Sequence, residues 1–200
     1  MRLTITLLLL GVAPGFITFA ANQERSLPTF FIPNAGQTEP SIRYAAQTPE
    51  LHAGFALDSA IFQIHGTRLR VRFAGANEDV TIQGLDTMAG RVNFLIGDDP
   101  AAWHTSLPAY SSIVYRNLYP GIDMKYTGSD PKLKSEFLIA PRANPARILM
   151  EYTGTDRISI DVDGDLVVRA GAAKLREQAP TAYQESEGRL TSIRQGWIIL

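Results

Sequence analysis

Two hundred residues, 45% hydrophobic and 20% charged with a mean hydropathy of -0.04, describe a globular chain able to bury one good-sized core, not a disordered tail. Nineteen Lys and Arg against twenty Asp and Glu leave a net charge of -1, and the longest basic cluster, RLRVR at 68–72, is interrupted by apolar positions, so a nucleic-acid surface is not expected. The chain has no cysteine, which excludes a disulfide frame and a lipid anchor through a cysteine at a cleavage site.

The N-terminus reads as an export signal. Arg2 is its charged start, residues 3–12 are an apolar run too short to cross a bilayer, and Thr18-Phe19-Ala20 offers small residues for cleavage. Residues 1–20 are therefore expected to be a signal peptide and the mature chain to begin near Ala21. Pro14 and Gly15 break the apolar run and no basic stop follows, which argues against a retained anchor, and no later stretch is apolar enough to span a membrane. Residues 21–28 (ANQERSLP) are polar and read as a flexible leader.

Ordered structure is expected from about Thr29. Short apolar alternations follow at 42–47, 52–57, 60–65, 68–73, 80–85, 110–115, 122–127, 132–140 and 147–153, each bounded by Gly, Pro, Asn or Asp, the pattern of half-buried strands joined by tight turns. At 157–170, Ile158, Ile160 and Val162 alternate with polar residues, Asp163-Gly164 makes a turn, and an apolar run returns at 166–168, which predicts a hairpin. DDPAAW predicts a single helical turn with Asp99 as N-cap and Pro100 at its first position. YPGID, 119–123, predicts a tight turn. No window sustains helical periodicity and no repeat of fixed period occurs. The expected fold is all-β: an antiparallel β-sandwich-like domain over 29–188, with many short strands, one short helical turn and a weak inner boundary at 75–79.

Candidate chemistry is sparse. Asp161, Asp163 and Asp165 are the best calcium ligands, being hard oxygen donors at alternate positions, but Gly164 falls between two of them and no bidentate Glu follows, so a solvated turn is favoured. His52, His65 and His104 are isolated, and no zinc set can be completed. Ser111-Ser112 lies in a strand pattern, and no G-x-S-x-G elbow occurs. Asp123 and Glu136, on neighbouring predicted strands, could serve a glycosidase if they converge in a cleft. Trp103, Tyr110, Tyr115 and Tyr119, with Tyr126 beyond them, could stack on sugar rings if exposed on one face. Core packing accounts for them better, with Trp103 plugging one end of the sandwich.

The strings FIPNAGQTEPSIRYAAQ (31–47), GRVNFLIGDDPAAWHTSLPAYSSIVYRNLYPGIDMKY (90–126), SEFLIAPRANPARILMEYTG (135–154), DGDLVV (163–168) and QAPTAYQE (178–185) resemble, in this order, one known family. It is the N-terminal domain of large exported bacterial proteins, where it precedes SBBP-type β-propeller repeats and immunoglobulin-like modules. The resemblance spans about 31–188. It implies an extracellular or cell-surface β-rich module of unknown role, with no catalytic residues to carry over. The chain departs from the family in stopping on RLTSIRQGWIIL, so 189–200 are expected to be an incomplete terminal strand region of a truncated or frame-altered product, leaving a sheet edge open.

Together these readings predict an exported, non-enzymatic structural or interaction module of a cell-surface or secreted protein, without a cofactor. Its partner would be a cell-surface protein or a polysaccharide. A carbohydrate-binding module is the second reading and a glycan-active hydrolase the third.

Overall fold

Almost every predicted alternation is a strand in the computed structural model, which describes residues 2–10, 29–47, 51–64, 66–129, 132–186, 189–193 and 195–200. In chain order the strands are β1 (Arg2–Leu10), β2 (Phe31–Pro33), β3 (Ile42–Gln47), β4 (Leu51–Ala56), β5 (Ser59–Ile64), β6 (Thr67–Phe73), β7 (Thr81–Phe94) and β8 (His104–Tyr119). After these come β9 (Ile122–Ser129), β10 (Lys132–Ile139), β11 (Met150–Thr153), β12 (Arg157–Ile160), β13 (Leu166–Ala170), β14 (Ala173–Glu177), β15 (Thr181–Ser186) and β16 (Arg189–Ile193). All pairings are antiparallel. The main ladder runs β11-β6-β5-β4-β3-β2-β8-β9-β10-β1-β14-β13-β12, with β7 beside β8, and β15 joining β1 to β16.

The sheet curls so that one face closes over a shared core, which gives the expected all-β, sandwich-like fold. β6 shows how alternation does this: Leu69, Val71 and Phe73 are buried, while Arg68, Arg70 and Arg72 between them face solvent. Phe55 and Phe62 from β4 and β5 meet Tyr115, Tyr126 and Phe137 from β8, β9 and β10 in the same cluster, which continues to Leu166, Val168 and Leu175. One core therefore lies on both sides of the loop at 75–79.

The outer arginines of β6 do not form a basic stripe. Arg68 makes a two-pronged pair with Glu39 at 2.9 and 3.0 Å, Arg70 pairs with Asp58 at 3.0 Å, and Arg72 with Glu151. No helix among the described residues is long and apolar enough to cross a membrane.

Four differences from the sequence reading bear on the candidate site. The Asp99-Pro100 turn is present as a short 3-10 turn at Pro100–Ala102, and a second forms at Pro145–Arg147, where a strand start was expected; Asn144 caps it as Asp99 caps the first. β7 and β8 are far longer than the alternations at 80–85 and 110–115. β14 and β15 lie where no strand was assigned, and β16 falls within the expected incomplete terminal strand region. Finally Arg2–Leu10, the start of the expected signal, is a strand between β10 and β15; an extended apolar run suits a strand as well as a signal. Residues 11–20 and the leader at 21–28 lie outside the described residues.

Tyr115 is fully buried, and its hydroxyl has no hydrogen-bond partner among the described residues; burial drives its pKa well above the usual phenol value. Removing a buried, unpaired hydroxyl removes its desolvation cost, so Tyr115→Phe is expected to raise unfolding stability by about 1–3 kcal/mol in urea titrations. A loss of stability would mean that the hydroxyl is bonded in solution.

Candidate functional site

The aromatic candidates divide sharply. Tyr115 and Tyr119 are wholly buried, and Tyr126 nearly so, which removes them from any sugar-stacking surface. Tyr119 sits under the segment before β11, donating its hydroxyl to the Leu149 carbonyl at 2.9 Å, and burial lifts its pKa to about 12. Tyr110 is half-buried. Its ring lies over Gly84 on β7, so closely that a Cβ there would come within 2.5 Å of a ring carbon, and it meets Tyr44 edge-on at 6.1 Å. Tyr44 in turn accepts the Gly84 N–H at 2.9 Å. A glycine in mid-strand is thus the seat for a ring, covering backbone that a side chain would otherwise shield.

Trp103 is exposed at 37% and does not plug the core. It stands at the tip of an arm. β7 pairs with β8 alone, whereas β8 also pairs with β9, from Ser112 onward, and touches β2 at Tyr110. Beyond Tyr110, Arg91 to Phe94 and His104 to Pro108 therefore pair, among the described residues, only with each other. At the tip, Leu95 and Ile96 are 58% and 69% exposed, Asp99 caps the 3-10 turn through the Ala101 N–H at 2.9 Å, and Trp103 donates its indole N–H to the Gly97 carbonyl at 3.1 Å. Also at the tip end, where His104 pairs with Phe94, the His104 imidazole lies against Gly36 in the loop between β2 and β3. His52 is exposed on β4, and His65 lies outside the described residues.

Asp123 and Glu136 do share the outward face of β9 and β10. They stand diagonally, Asp123 opposite Leu138 and Glu136 opposite Lys125. Both are bonded into the framework. Asp123 accepts from Arg116 at 2.7 Å and from the Asn117 N–H at 2.7 Å, and Glu136 pairs with Lys134 at 2.8 Å. Ser112 is buried and donates its hydroxyl to Asp86 at 3.1 Å.

The predicted hairpin at 157–170 is present as β12 and β13, and its three acids converge on an arginine. Arg176 of β14 contacts Asp161 at 2.7 Å, Asp163 at 3.1 Å and Asp165 at 2.7 Å, and these partners, Asp165 first, raise its pKa. The second oxygen of Asp161 accepts the N–H groups of Asp163 and Asp165, both at 3.0 Å, building the turn itself. A guanidinium thus occupies the place proposed for calcium, and no group of three or more His, Asp or Glu among the described residues is set to hold a metal ion.

One group went unnoticed in the sequence. Glu177 is 3% exposed and faces the interior, where it accepts from the Tyr152 hydroxyl at 2.9 Å. Burial lifts its pKa to about 7, with the Tyr152 bond pulling the other way; burial also drives the Tyr126 and Tyr152 phenols up, and the Glu177 charge adds to both. The signal was available. In AKLRE the apolar positions 173 and 175 are inward, and 177 continues their period.

A family model described as a domain of unknown function, DUF7948, matches residues 31–199. The chain belongs to this family. The matched DUF7948 span begins with β2 and runs through β16 into the terminal stretch, further than the likeness noted at 31–188. No curated protein and no solved structure is matched by the chain.

Two outcomes follow from this geometry. Because folding raises the Glu177 pKa from 4.5 to about 7, the folded state holds this proton more tightly than the unfolded one. The resulting stability is complete below pH 4.5 and is lost as pH rises through 7, by about 3 kcal/mol in all. Glu177→Gln is expected to flatten that pH dependence in urea titrations from pH 5 to 8. For the hairpin acids, excess calcium or a chelator is expected to leave the melting temperature unchanged, because the Arg176 guanidinium already lies against all three; a calcium-dependent rise would restore the metal reading.

Proposed function

We propose that the chain is an exported, non-enzymatic interaction module of a cell-surface or secreted protein, placed before repeat modules, which it connects to a surface partner through the β7–β8 arm. The carrying observation is the contrast between two sets of side chains. Asp123, Glu136, Ser112 and Asp161 to Asp165, the groups able to do chemistry, are bonded into strands and turns. Leu95, Ile96 and Trp103 lie exposed at the end of a ribbon whose strands there have no other pairing among the described residues. Loops and exposed apolar clusters of this kind are where scaffold proteins meet partners. The signal-like residues 1–20 and the likeness to exported multidomain proteins support the location.

Binding of glycan at the same tip is the second reading, favoured by the exposed Trp103 ring in a loop that also carries Asp98 and Asp99. The two readings separate in one titration. In a Trp197→Phe background, which leaves Trp103 as the only tryptophan, emission is expected to shift on adding isolated cell envelopes and not on adding soluble polysaccharides. The shift should disappear in the Leu95→Ser/Ile96→Ser variant. Saturable quenching by a single polysaccharide would replace the protein-partner reading with the carbohydrate one.

A further inference from the structure

β1 occupies a seam rather than an edge. On one side it is in register with β10 over seven residues, from Leu3 opposite Ile139 to Leu9 opposite Leu133. On the other, Arg2 to Thr6 pair with β15, from Glu185 to Thr181, and Leu9 and Leu10 pair with β14 at Glu177 and Arg176. Among the described residues no other strand pairing joins β10 to β14 or β15, so β1 alone carries the hydrogen-bonded ladder from β2–β10 to β12–β16.

This strand is also the segment that export would remove. Cutting after Ala20 would open two facing strand edges about 24 Å long, given about 3.4 Å per residue over the seven paired positions. Leu133, Ser135, Phe137 and Ile139 are buried on the inner face of β10, with Ala182 buried on β15, so a strand pairing in the seam has its alternate positions beside this inner face. Open edges of this kind recruit strands.

We propose that the seam between β10 and β14–β15 is a strand-acceptor site. Once residues 1–20 are cut away, it takes an extended segment of a partner protein, antiparallel to β10. This rests on the export reading above. The register states the chemistry of that segment. Positions opposite Leu133, Ser135, Phe137 and Ile139 must be apolar, as Leu9, Leu7, Ile5 and Leu3 are in sequence, whereas those opposite Lys134 and Glu136 can be polar. Main-chain bonds to both neighbours supply affinity and the alternate apolar positions supply selectivity. Until cleavage the chain's own first strand holds the place, so the acceptor opens only after export.

The test keeps the full chain. A protease recognition sequence replaces residues 15–18, the protein is produced by cell-free synthesis and folded, and it is then cut. The released N-terminal peptide is expected to stay with the domain in gel filtration and to exchange with a fluorescent synthetic peptide of residues 2–10. A peptide carrying Ile5→Asp and Leu7→Asp should compete more than roughly tenfold less well, since burying one Leu or Ile side chain against the acceptor is worth about that factor and a carboxylate there would oppose it. Three results would overturn the proposal: immediate loss of the cut peptide with an unchanged melting temperature, meaning that the seam closes by itself; equal competition by the two peptides; or a cut, peptide-free domain that elutes as a dimer, meaning that a second copy fills the seam. N-terminal sequencing of the protein recovered from a secreting host tests the export reading separately. An intact Met1 there would refute cleavage while leaving the exchange measurement valid.

Discussion

Five aromatic rings crossing the interior hold the curled sheet closed. Phe31 lies 5.4 Å from Phe55, Phe55 4.9 Å from Tyr126, Tyr126 6.1 Å from Tyr115, and Tyr115 5.3 Å from Phe73, all tilted or edge-on. The rings come from β2, β4, β9, β8 and β6. β4 and β9 are four places apart along the ladder and β6 and β8 five, so these contacts exist only because the sheet bends back on itself. Such pairs add about 0.5–1.5 kcal/mol each beyond area burial, and their ring volume sets how tightly the two halves can approach. This is why the tyrosines of 115–126 belong to the scaffold: moving them outward to meet a ligand would empty the centre of the molecule.

Bending a 16-residue strand such as β8 requires irregularity, and the structure places it at particular residues. Asp86, Ser106 and Asn117 all have φ between 55° and 58°, the left-handed region rarely used by residues other than glycine, and the β8 register shifts near them. Each is held by a polar side chain. Ser106 gives its N–H to Asn93 at 2.7 Å, Asn117 gives its N–H to Asp123 at 2.7 Å and its side-chain amide to Asp79 at 3.0 Å, and Asp86 accepts from Ser112. The carboxylate of Asp123, considered above as a catalytic group, is therefore part of the device that turns β8 into β9.

What was legible in the sequence follows from this division. Period-two alternation fixes which face of β3 to β6, β9 and β10 is buried, and nearly all these strands fall within a residue or two of their expected bounds. Gly121, with a φ of 73°, sits in the predicted YPGID turn, and the hairpin turn carries Gly164 at 84°. The reach of β7 and β8 was not legible, because the bulges interrupt the alternation and the arm beyond Tyr110 has no buried face to impose one. β14 was hidden by its charges: Lys174 and Arg176 obscure an inward series that ends in Glu177, a residue type that a core pattern excludes. The role of Arg176 could not be read either, since pairing β14 with β13 is what brings it to Asp161, Asp163 and Asp165 from more than ten residues away.

The distribution of satisfied and unsatisfied groups then bears on function. In this curled sheet the inner face is committed to packing and the outer face carries ion pairs; Arg68, Arg70, Arg72, Arg116 and Arg176 each meet an acid. The carboxylates considered above have partners within the chain, Asp123 in Arg116 and the Asn117 N–H and Glu136 in Lys134. Recognition requires only uncovered apolar surface or unpaired backbone. An arm that ends in Leu95, Ile96 and Trp103, and a seam between β10 and β14–β15 that β1 fills, supply one of each. Both lie where the sheet departs from self-sufficiency, which is where a β-rich scaffold can engage another chain without disturbing its aromatic centre.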